Sequence, residues 1–565
     1  MILLNPGKLS PRYSDAKTGE LMAKVIEFFE SRGNDQLQKD YYDRQWYSEF
    51  LEFVKEEKIF ATMCTPSGYG ADDSRWDTWR ICEFAEILGF YGLPYWYAWQ
   101  VSVLGLGPIW MSDNEAIKQD AAKSLQEGGI FAFGLSEKTH GADIYSTDMI
   151  VSSTGEGEYA ANGSKYYIGN GNKAAITSTF GRFDGSDEYL FFAAKSDHPN
   201  YELVKNVVAS QNYVSEYKLN DYPLTDADIL HRGKEAWNAA LNTVNVGKYN
   251  LGWASIGICT HAFYEAIHHA AYRKLYKMSV TDFPHVKRLF TDAYARLVAM
   301  KLFALRSSDY MRTASAEDRR YLLFNPMTKM KVTCQGEEVI NLMWDVIAAK
   351  GFEKDMYFTQ AAVDIRALPK LEGTVHVNIA LIVKFMPNYF FNPNSYEPVG
   401  TQDEPRNDDF LFNQGPTHGL SKIRFHDWQQ AFEGFDQPNV KLFLEQALTY
   451  RGLLATASPT PEQMKDIDFL LTGGEIFALV VYAQLILENA RLLNVDSDLV
   501  DQIFDCLVRD MSQFALELHN KPSSTEAQMA QCLKMVRKPA VDAARANRVW
   551  TEQVYSQRDA YEMKR

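Results

Sequence analysis

The spacing of apolar positions divides the chain into helical and strand-like parts. Over residues 1–128, apolar side chains such as Leu21, Val25 and Phe29 recur at nearly helical intervals with charged residues between them, which predicts an N-terminal helical domain. Over residues 129–245, short apolar runs alternate with clusters of Gly, Asn, Asp and Ser, which predicts a middle β domain.

Helical spacing returns after the β domain and continues, with one interruption, to the last residues. Residues 246–390 predict a helical bundle, and residues 436–565 predict an extra C-terminal helical domain. Residues 391–435 between them are rich in Asn, Pro, Gly and Asp, which predicts either a linker or an ordered excursion over the surface. This order of elements indicates an α+β fold rather than alternating βαβ units.

The composition limits the class of protein. A chain of 565 residues is too long for one hydrophobic core, and its length suggests roughly three to four domains. Its 46% hydrophobic and 23% charged residues are typical of a soluble globular protein. The formal net charge of −15 argues against a surface that binds the phosphates of nucleic acid.

Signals for membranes or secretion are not found in the sequence. Six cysteines are scattered without a Cys-x-x-Cys pair, which indicates reduced thiols in a cytosolic protein. The first apolar run is too short for a signal peptide, and no run of eighteen apolar residues predicts a membrane span. We therefore expect a cytoplasmic location.

Common nucleotide and metal motifs are also missing. No Gly-x-Gly-x-x-Gly follows a predicted strand and no P-loop occurs, so neither a Rossmann site nor an NTPase site is predicted. The adjacent His268 and His269 point to different faces of a predicted helix, so we expect no metal site there.

Two distant segments contain the residues that suggest a reaction for this chain. Segment 133–143 reads Phe-Gly-Leu-Ser-Glu-Lys-Thr-His-Gly-Ala-Asp, and segment 363–374 ends in Glu-Gly-Thr, with a carboxylate directly before a glycine. Together they resemble two signatures of the acyl-CoA dehydrogenase family. The resemblance implies an N-terminal helical domain, a middle β-barrel domain and a C-terminal four-helix bundle with FAD between them. Here the extra C-terminal helical domain indicates the larger form of the family.

The resemblance assigns segment 133–143 to the flavin and the substrate. The backbone at Phe133 and Leu135 and the hydroxyl of Ser136 are expected to face the flavin ring, where such groups stabilise charge as the ring is reduced. Ala142 takes the place of a family serine that contacts the bound thioester, so one substrate contact lacks its hydroxyl.

Segment 162–171 reads Asn-Gly-Ser-Lys-Tyr-Tyr-Ile-Gly-Asn-Gly. It is similar to the family's Asn-Gly-x-Lys-x-Trp-Ile-Thr-Asn-Gly. By this resemblance Tyr167 takes the tryptophan's place against the flavin, and Gly169 replaces a threonine that contacts the cofactor. The same residues are also typical of a glycine-rich β-hairpin without a cofactor.

Further positions in the second helical part match the family less closely. Arg273 resembles an arginine that pairs with the FAD pyrophosphate, for which a guanidinium is well shaped. The family's adenine-side glutamine falls at Pro284, so that contact must differ. Asn245 is expected to face the pantetheine chain, and Lys248 aligns with a family arginine near CoA.

Segment 344–352 aligns with the family segment that binds the FAD of a neighbouring subunit. Asp345, Ala348 and Ala349 depart from the family's glutamine and paired glycines, although alanine still permits a fairly close backbone approach. Thr374 is expected to contact the flavin from the far side. A cofactor shared between subunits implies a homodimer or homotetramer.

Glu372 is the expected catalytic base by the same resemblance. The α-hydrogen of a thioester is a very weak acid, so a carboxylate removes it only if the base is strengthened and the enolate is stabilised. The β-hydrogen then passes as hydride to flavin N5, and the product is a trans-2-enoyl thioester. Some family members carry the base just before the position of Lys248, but that position is Gly247 here.

Two alternatives to an acyl-CoA dehydrogenase remain open. An acyl-CoA oxidase shares the fold and the first half-reaction, and a non-enzymatic relative could use its C-terminal domain to bind a partner. The thioester carrier is CoA or an acyl-carrier protein, and the expected electron acceptor is an electron-transfer flavoprotein. The aromatic run at residues 95–99 predicts either core packing or a wall of the acyl site.

Overall fold

The computed structural model describes residues 2–8 and 15–565. The chain folds into two compact units. The N-terminal unit contains Ser10–Asn250, Asp403–His418 and Lys564–Arg565. The C-terminal unit contains Met1–Leu9, Leu251–Gln402 and Gly419–Met563.

The N-terminal unit begins with helices, several of which start at a side-chain cap. Asp15, Asp77 and Asn114 each accept a hydrogen bond from a backbone N–H in the first turn of the helix that follows. The helices before the sheet are α1 (Ala16–Tyr42), α2 (Ser48–Glu56), α3 (Ile59–Cys64), α4 (Thr78–Tyr91), α5 (Leu93–Met111) and α6 (Glu115–Gln126).

A mostly antiparallel sheet follows these helices. The strands are β1 (Phe131–Gly134), β2 (Ile150–Gly155), β3 (Glu158–Gly169), β4 (Ile176–Phe183), β5 (Tyr189–Ala194), β6 (Tyr201–Asn206), β7 (Val214–Thr225) and β8 (Ile229–Arg232). Their order in the sheet is β6-β7-β3-β2-β4-β5-β8, and β1 pairs in parallel with β4. A helix, α7 (Gly233–Gly247), follows the last strand.

Helix α5 forms the centre of the N-terminal unit because it is apolar on every face. Its aromatic run is buried, and the Trp99 ring packs against Phe60 and Phe84 at centroid distances of 5.2 and 4.8 Å. Gly105 of α5 lies so close to β1 that a Cβ atom would stand 2.6 Å from the backbone N of Ala132. The aromatic run is therefore core packing in this unit.

The C-terminal unit is built from long helices and one short hairpin. The hairpin pairs β9 (Lys274–Leu275) with β10 (Met278–Ser279). The helices are α8 (Asn250–Tyr272), α9 (Pro284–Arg312), α10 (Tyr321–Ile347), α11 (Tyr357–Asp364), α12 (Val375–Ile382), α13 (Met386–Phe391), α14 (Pro438–Thr456), α15 (Ile467–Leu492), α16 (Ser497–His519), α17 (Glu526–Met535) and α18 (Ala543–Arg548).

The helices of 436–565 share a core with the bundle that precedes them. α15 and α16 pack against α9, and α12 packs against α15. Arg296 on α9 makes two hydrogen bonds of 2.7 and 2.8 Å to the Asp510 carboxylate on α16, and both side chains are buried. The sequence predicted a separate helical domain here, whereas the structure places these helices in the same compact unit as the bundle.

Helix α15 is, among the described residues, the one helix long and apolar enough to cross a membrane by length and composition. Its most apolar window has a mean hydropathy of 1.8, and 78% of that window is buried inside the protein. Burial of this kind is typical of the core helix of a large helical unit.

Two predicted boundaries differ from the structure. The β domain was predicted to continue to residue 245, but β8 ends at Arg232 and α7 follows directly. Residues 391–435 were predicted to be a linker or an excursion, and 403–418 belong to the N-terminal unit. Asp408 anchors this return segment, because its carboxylate accepts the Thr78 N–H at 2.7 Å.

Candidate functional site

The loop between α11 and α12 carries Glu372. Glu372 has a φ of 51° and Gly373 a φ of 85°, so two successive residues are left-handed. A left-handed conformation is unfavourable for a residue with a side chain and persists only where its surroundings hold it. The Glu372 side chain is half-buried.

Side chains from α10 and α12 hold this loop on both sides of Glu372. Lys329 on α10 is fully buried, and its Nζ donates to Pro369 O at 2.7 Å and to Gly373 O. Asn378 Nδ2 on α12 donates to Gly373 O at 3.1 Å and to Thr374 O at 2.9 Å. The backbone around Glu372 is therefore fixed by two buried donors.

Thr374 was predicted to contact the flavin. In the structure it is exposed and caps α12, where its Oγ1 accepts the Val377 N–H at 3.4 Å. A threonine hydroxyl has a donor proton as well as acceptor lone pairs, so the cap leaves that proton available for another group.

The structure brings the two predicted flavin segments of the N-terminal unit together. Ser136 Oγ donates to Tyr166 O at 2.9 Å, and the Tyr166 N–H donates to Ser136 O at 3.1 Å. Lys165 Nζ donates to Leu135 O at 3.0 Å. The Ser136 hydroxyl, predicted to face the flavin, thus directs its proton to a neighbouring carbonyl in this conformation. Phe133 is half-buried, and its ring stacks on Phe191 with a centroid distance of 5.8 Å.

A buried ion pair joins the same two segments. Lys165 has no exposed side-chain area, and its Nζ lies 2.7 Å from Glu137 Oε1. The Glu137 carboxylate also accepts the Thr147 hydroxyl at 2.6 Å and the Asp148 N–H at 2.7 Å. Burial opposes ionisation of Glu137, but the Lys165 charge and these hydrogen bonds outweigh it and lower the pKa of the carboxyl.

Tyr167 and Gly169 occupy different environments at the end of β3. Tyr167 has a φ of 68° and is 44% exposed, at an irregularity in the pairing of β3 with β7. At Gly169 a Cβ atom would lie 2.5 Å from Val101 Cγ1 and 2.6 Å from Tyr97 Cε1. Helix α5 therefore fills the space that the family's threonine would need.

The predicted substrate residues lie on a loop and at the end of α7. Ala142 is exposed in the loop before β2, Asn245 is half-buried, and Lys248 is buried at the C-terminal end of α7. Gln100 Nε2 donates to Gly247 O at 3.0 Å, and a Cβ at Gly247 would lie 2.7 Å from Leu104 Cδ2. The alternative position of the base is thus closed by α5.

The return segment, residues 403–418, contacts the same helix. Asn242 Nδ2 donates to Gly415 O at 2.9 Å, and Thr417 Oγ1 donates to Asn238 Oδ1 at 3.3 Å. Asn238, Asn242 and Asn245 are four and three residues apart, which places them on one face of α7. The sequence did not predict that this segment reaches the helix that carries Asn245.

Three residues of the C-terminal unit were predicted to contact FAD, one at its pyrophosphate and two at the FAD of a neighbouring subunit. Arg273, Asp345 and Ala349 are all at the surface. Burial lowers the pKa of His269, and the nearby charges of Arg273 and Lys350 lower it further. The hairpin that begins after Arg273 and the segment after α10 therefore both lie near His269.

Known proteins match the chain in sequence and in fold. Residues 235–386 match the family of the acyl-CoA dehydrogenase C-terminal domain. The chain is 24% identical over 201 residues to the short-chain specific acyl-CoA dehydrogenase of Megasphaera elsdenii, over 34% of this chain and 52% of that protein. It is 22% identical to a probable acyl-CoA dehydrogenase of Bacillus subtilis, over 56% of this chain and 84% of that protein.

The chain is similar to the acyl-CoA dehydrogenase family in the sequence of residues 235–386 and in its fold. Its fold is similar to that of a Bacillus anthracis acyl-CoA dehydrogenase crystallised with FAD, with a TM-score of 0.76 and 16% identity over 98% of this chain and 97% of that one. This coverage includes the helices after residue 436, which confirms the predicted fold class of the larger form. The chain thus has the fold of the acyl-CoA dehydrogenases.

Two side chains beside Glu372 carried no role in the sequence prediction. Lys329 and Asn378 hold the loop at Glu372, and neither belongs to a quoted signature. Lys329 stands between Met327 and Met330 in an apolar stretch. A cation in such a stretch is the signal that could have drawn attention to it, because buried charges are retained where they have partners.

Proposed function

We propose that the protein catalyses FAD-dependent α,β-dehydrogenation of an acyl-CoA, with Glu372 as the base that removes the α-proton. The single observation that supports this role is the geometry of the loop. The backbone of Glu372 is left-handed, and Lys329 and Asn378 hold the loop through hydrogen bonds to Gly373 O. A base at the alternative position would need a side chain at Gly247, where α5 leaves no space.

The residues present fit a flavin dinucleotide. Tyr167 offers a half-exposed aromatic ring that suits a planar isoalloxazine, and the exposed Arg273 guanidinium suits a pyrophosphate. Thr374 adds an exposed hydroxyl. The contacts that the family makes through the threonine at position 169 and the glutamine at position 284 have no equivalent side chain here.

In the proposed reaction Glu372 takes the α-proton of the thioester onto its carboxylate. The loop keeps the carboxylate and its own backbone N–H in fixed positions, so that the N–H donates to the thioester carbonyl as negative charge develops there. Bound FAD supplies the acceptor for the hydride that leaves the β-carbon. The substrate thus loses one proton and one hydride, and the product is the trans-2-enoyl thioester.

The decisive experiment is anaerobic bleaching of the flavin absorbance by a panel of acyl-CoA thioesters. Wild-type protein is expected to bleach with at least one member of the panel. Glu372→Gln is expected to bind FAD normally and to lose bleaching by at least about 1,000-fold, because the amide cannot accept the proton. Glu397→Gln, at an exposed position of the same unit, serves as the matched control and should bleach as wild type. Full bleaching by Glu372→Gln contradicts the proposal.

We further propose an electron-transfer flavoprotein as acceptor, a homodimer or homotetramer as the assembly, and a cytoplasmic location. The exposed Arg273, Asp345 and Ala349 support an assembly in which a second subunit covers them. The six free thiols, five of them buried, support a reducing compartment. Hydrogen peroxide release during aerobic turnover would instead identify an oxidase.

A further inference from the structure

We propose that Lys329 is a positioning residue for Glu372, which holds the backbone of loop 369–374 through hydrogen bonds on both sides of the base. This inference rests on the proposed role of Glu372. The signatures that identified the base do not include Lys329, which lies 43 positions earlier in the chain, on α10.

The hydrogen bonds of Lys329 reach backbone carbonyls on both sides of Glu372 in the chain. Its Nζ donates to the carbonyl three residues before Glu372 and to the carbonyl directly after it. An ammonium has three donors, so it can hold two carbonyls at once, whereas a neutral methionine of similar size can hold neither. The two bonds restrain both ends of the segment in which Glu372 is left-handed.

The hydrogen bonds of Lys329 hold the backbone of Glu372 in a strained conformation. Glu372 and Gly373 have successive positive φ angles, and only the glycine adopts such an angle without steric penalty. Asn378 shares the Gly373 carbonyl with Lys329 and also holds Thr374 O. Without these donors the loop would relax toward ordinary backbone angles, and the carboxylate and its N–H would move together.

The chain provides a matched control on the same helix. Lys331 is 8% exposed, and its Nζ lies 5.7 Å from the centroid of the Tyr482 ring rather than on the loop. Lys331→Met therefore removes a buried cation of the same helix and tests the general cost of that loss. Asn378→Ala removes a second side chain that donates hydrogen bonds to the loop, and it leaves Lys329 in place.

The experiment measures the anaerobic bleaching rate of flavin-loaded protein over a range of acyl-CoA concentrations. Lys329→Met is expected to bleach about 100-fold more slowly, because a displaced base loses its alignment, with flavin content and acyl-CoA affinity near wild type. Lys329→Arg keeps N–H donors at this position and should recover part of the rate. Asn378→Ala should also slow bleaching, because it removes the hydrogen bonds to Gly373 O and Thr374 O.

A second readout does not depend on turnover. Amide hydrogen exchange in the peptide that spans 369–374 should be faster in Lys329→Met and in Asn378→Ala than in Lys331→Met. Unchanged exchange and an unchanged rate in Lys329→Met would overturn the positioning role, and so would an equal loss of rate in Lys331→Met. Bleaching that survives in Glu372→Gln would instead overturn the proposed base itself, so the two failures are distinguishable.

Discussion

Close packing at Gly169 leaves no room for the side chain that the family has at this position. The family has a threonine at this position, and here the side chains of Val101 and Tyr97 on α5 occupy the corresponding volume. The next residue, Asn170, donates from Nδ2 to Ala98 O at 2.9 Å and to Phe131 O at 3.1 Å. The end of β3 is therefore packed and hydrogen-bonded directly onto α5, and the lost hydroxyl is a consequence of that packing.

Gly169→Thr is therefore expected to destabilise the protein rather than restore a cofactor contact. Overpacking of this kind typically costs about 1–3 kcal/mol, since the surrounding side chains must move. Thermal unfolding should show a lower midpoint for this variant. Gly452→Ala is the control and should be neutral or slightly stabilising, because Gly452 lies inside α14 near its C-terminal end and no neighbouring atom is within 4 Å of the new Cβ. An unchanged midpoint for Gly169→Thr would mean that the side chains of α5 move aside at little cost in free energy.

At the scale of elements, the Glu137–Lys165 pair explains how a loop and a strand form one site. Glu137 follows β1 and Lys165 lies within β3, and neither is exposed by more than 6%. Such a pair contributes little when compared with an apolar pair of equal volume, but removal of one partner leaves a buried charge without compensation. The positions of Ser136 and Tyr166 depend on this pair, because their mutual hydrogen bonds lie beside it.

Glu137→Gln should destabilise the N-terminal unit by about 3–5 kcal/mol at pH 7, since Lys165 then lacks its counter-charge. The pKa of Glu137 is lowered below its ordinary value of 4.5 in the folded state. Its ionisation therefore stabilises the fold above that pH, and this contribution is lost as the pH falls through the folded-state pKa. Urea unfolding at pH 7 and pH 4 should show a smaller gap between wild type and variant at the lower pH. An equal gap at both values would contradict the assignment.

The elements also show what local sequence patterns reveal and what they omit. Helix α7 was assigned to the β domain, although the buried positions Ala236, Ala239, Ala240, Thr243 and Val246 have helical spacing. The role of Glu372 as a base is a prediction made from the resemblance of its segment to a family signature. The left-handed backbone of Glu372 and the hydrogen bonds between its loop and Lys329 were not predicted. Lys329 lies about 40 positions from the carbonyls that it binds, and no local pattern records such contacts.

At the scale of the whole molecule, the extra C-terminal helices are part of a larger core. Arg306 on α9 donates from Nε to Glu488 Oε2 on α15 at 2.8 Å, and Tyr310 donates to the same carboxylate oxygen at 2.8 Å. Burial opposes the charge of Glu488, but His426 and Arg306 outweigh it and hold the pKa of the carboxyl well below its usual range. Phe303 and Tyr482 pack at 5.0 Å between the same two helices. These helices therefore pack into the same core as the bundle and do not form a separate extension of it.

Removal of residues 436–565 is therefore expected to prevent the C-terminal unit from folding. The truncated chain would expose the apolar face of α9 and would leave the buried Arg296 and Arg306 without Asp510 and Glu488. We expect it to be insoluble, or to show no cooperative thermal transition for this unit and faster proteolysis within 284–347. If the truncated chain instead melted cooperatively and kept its flavin, the extra helices would be an independent domain, as the sequence alone predicted. Because α9 packs along α10, which carries Lys329, the same truncation should also abolish bleaching even in any fraction that retains FAD.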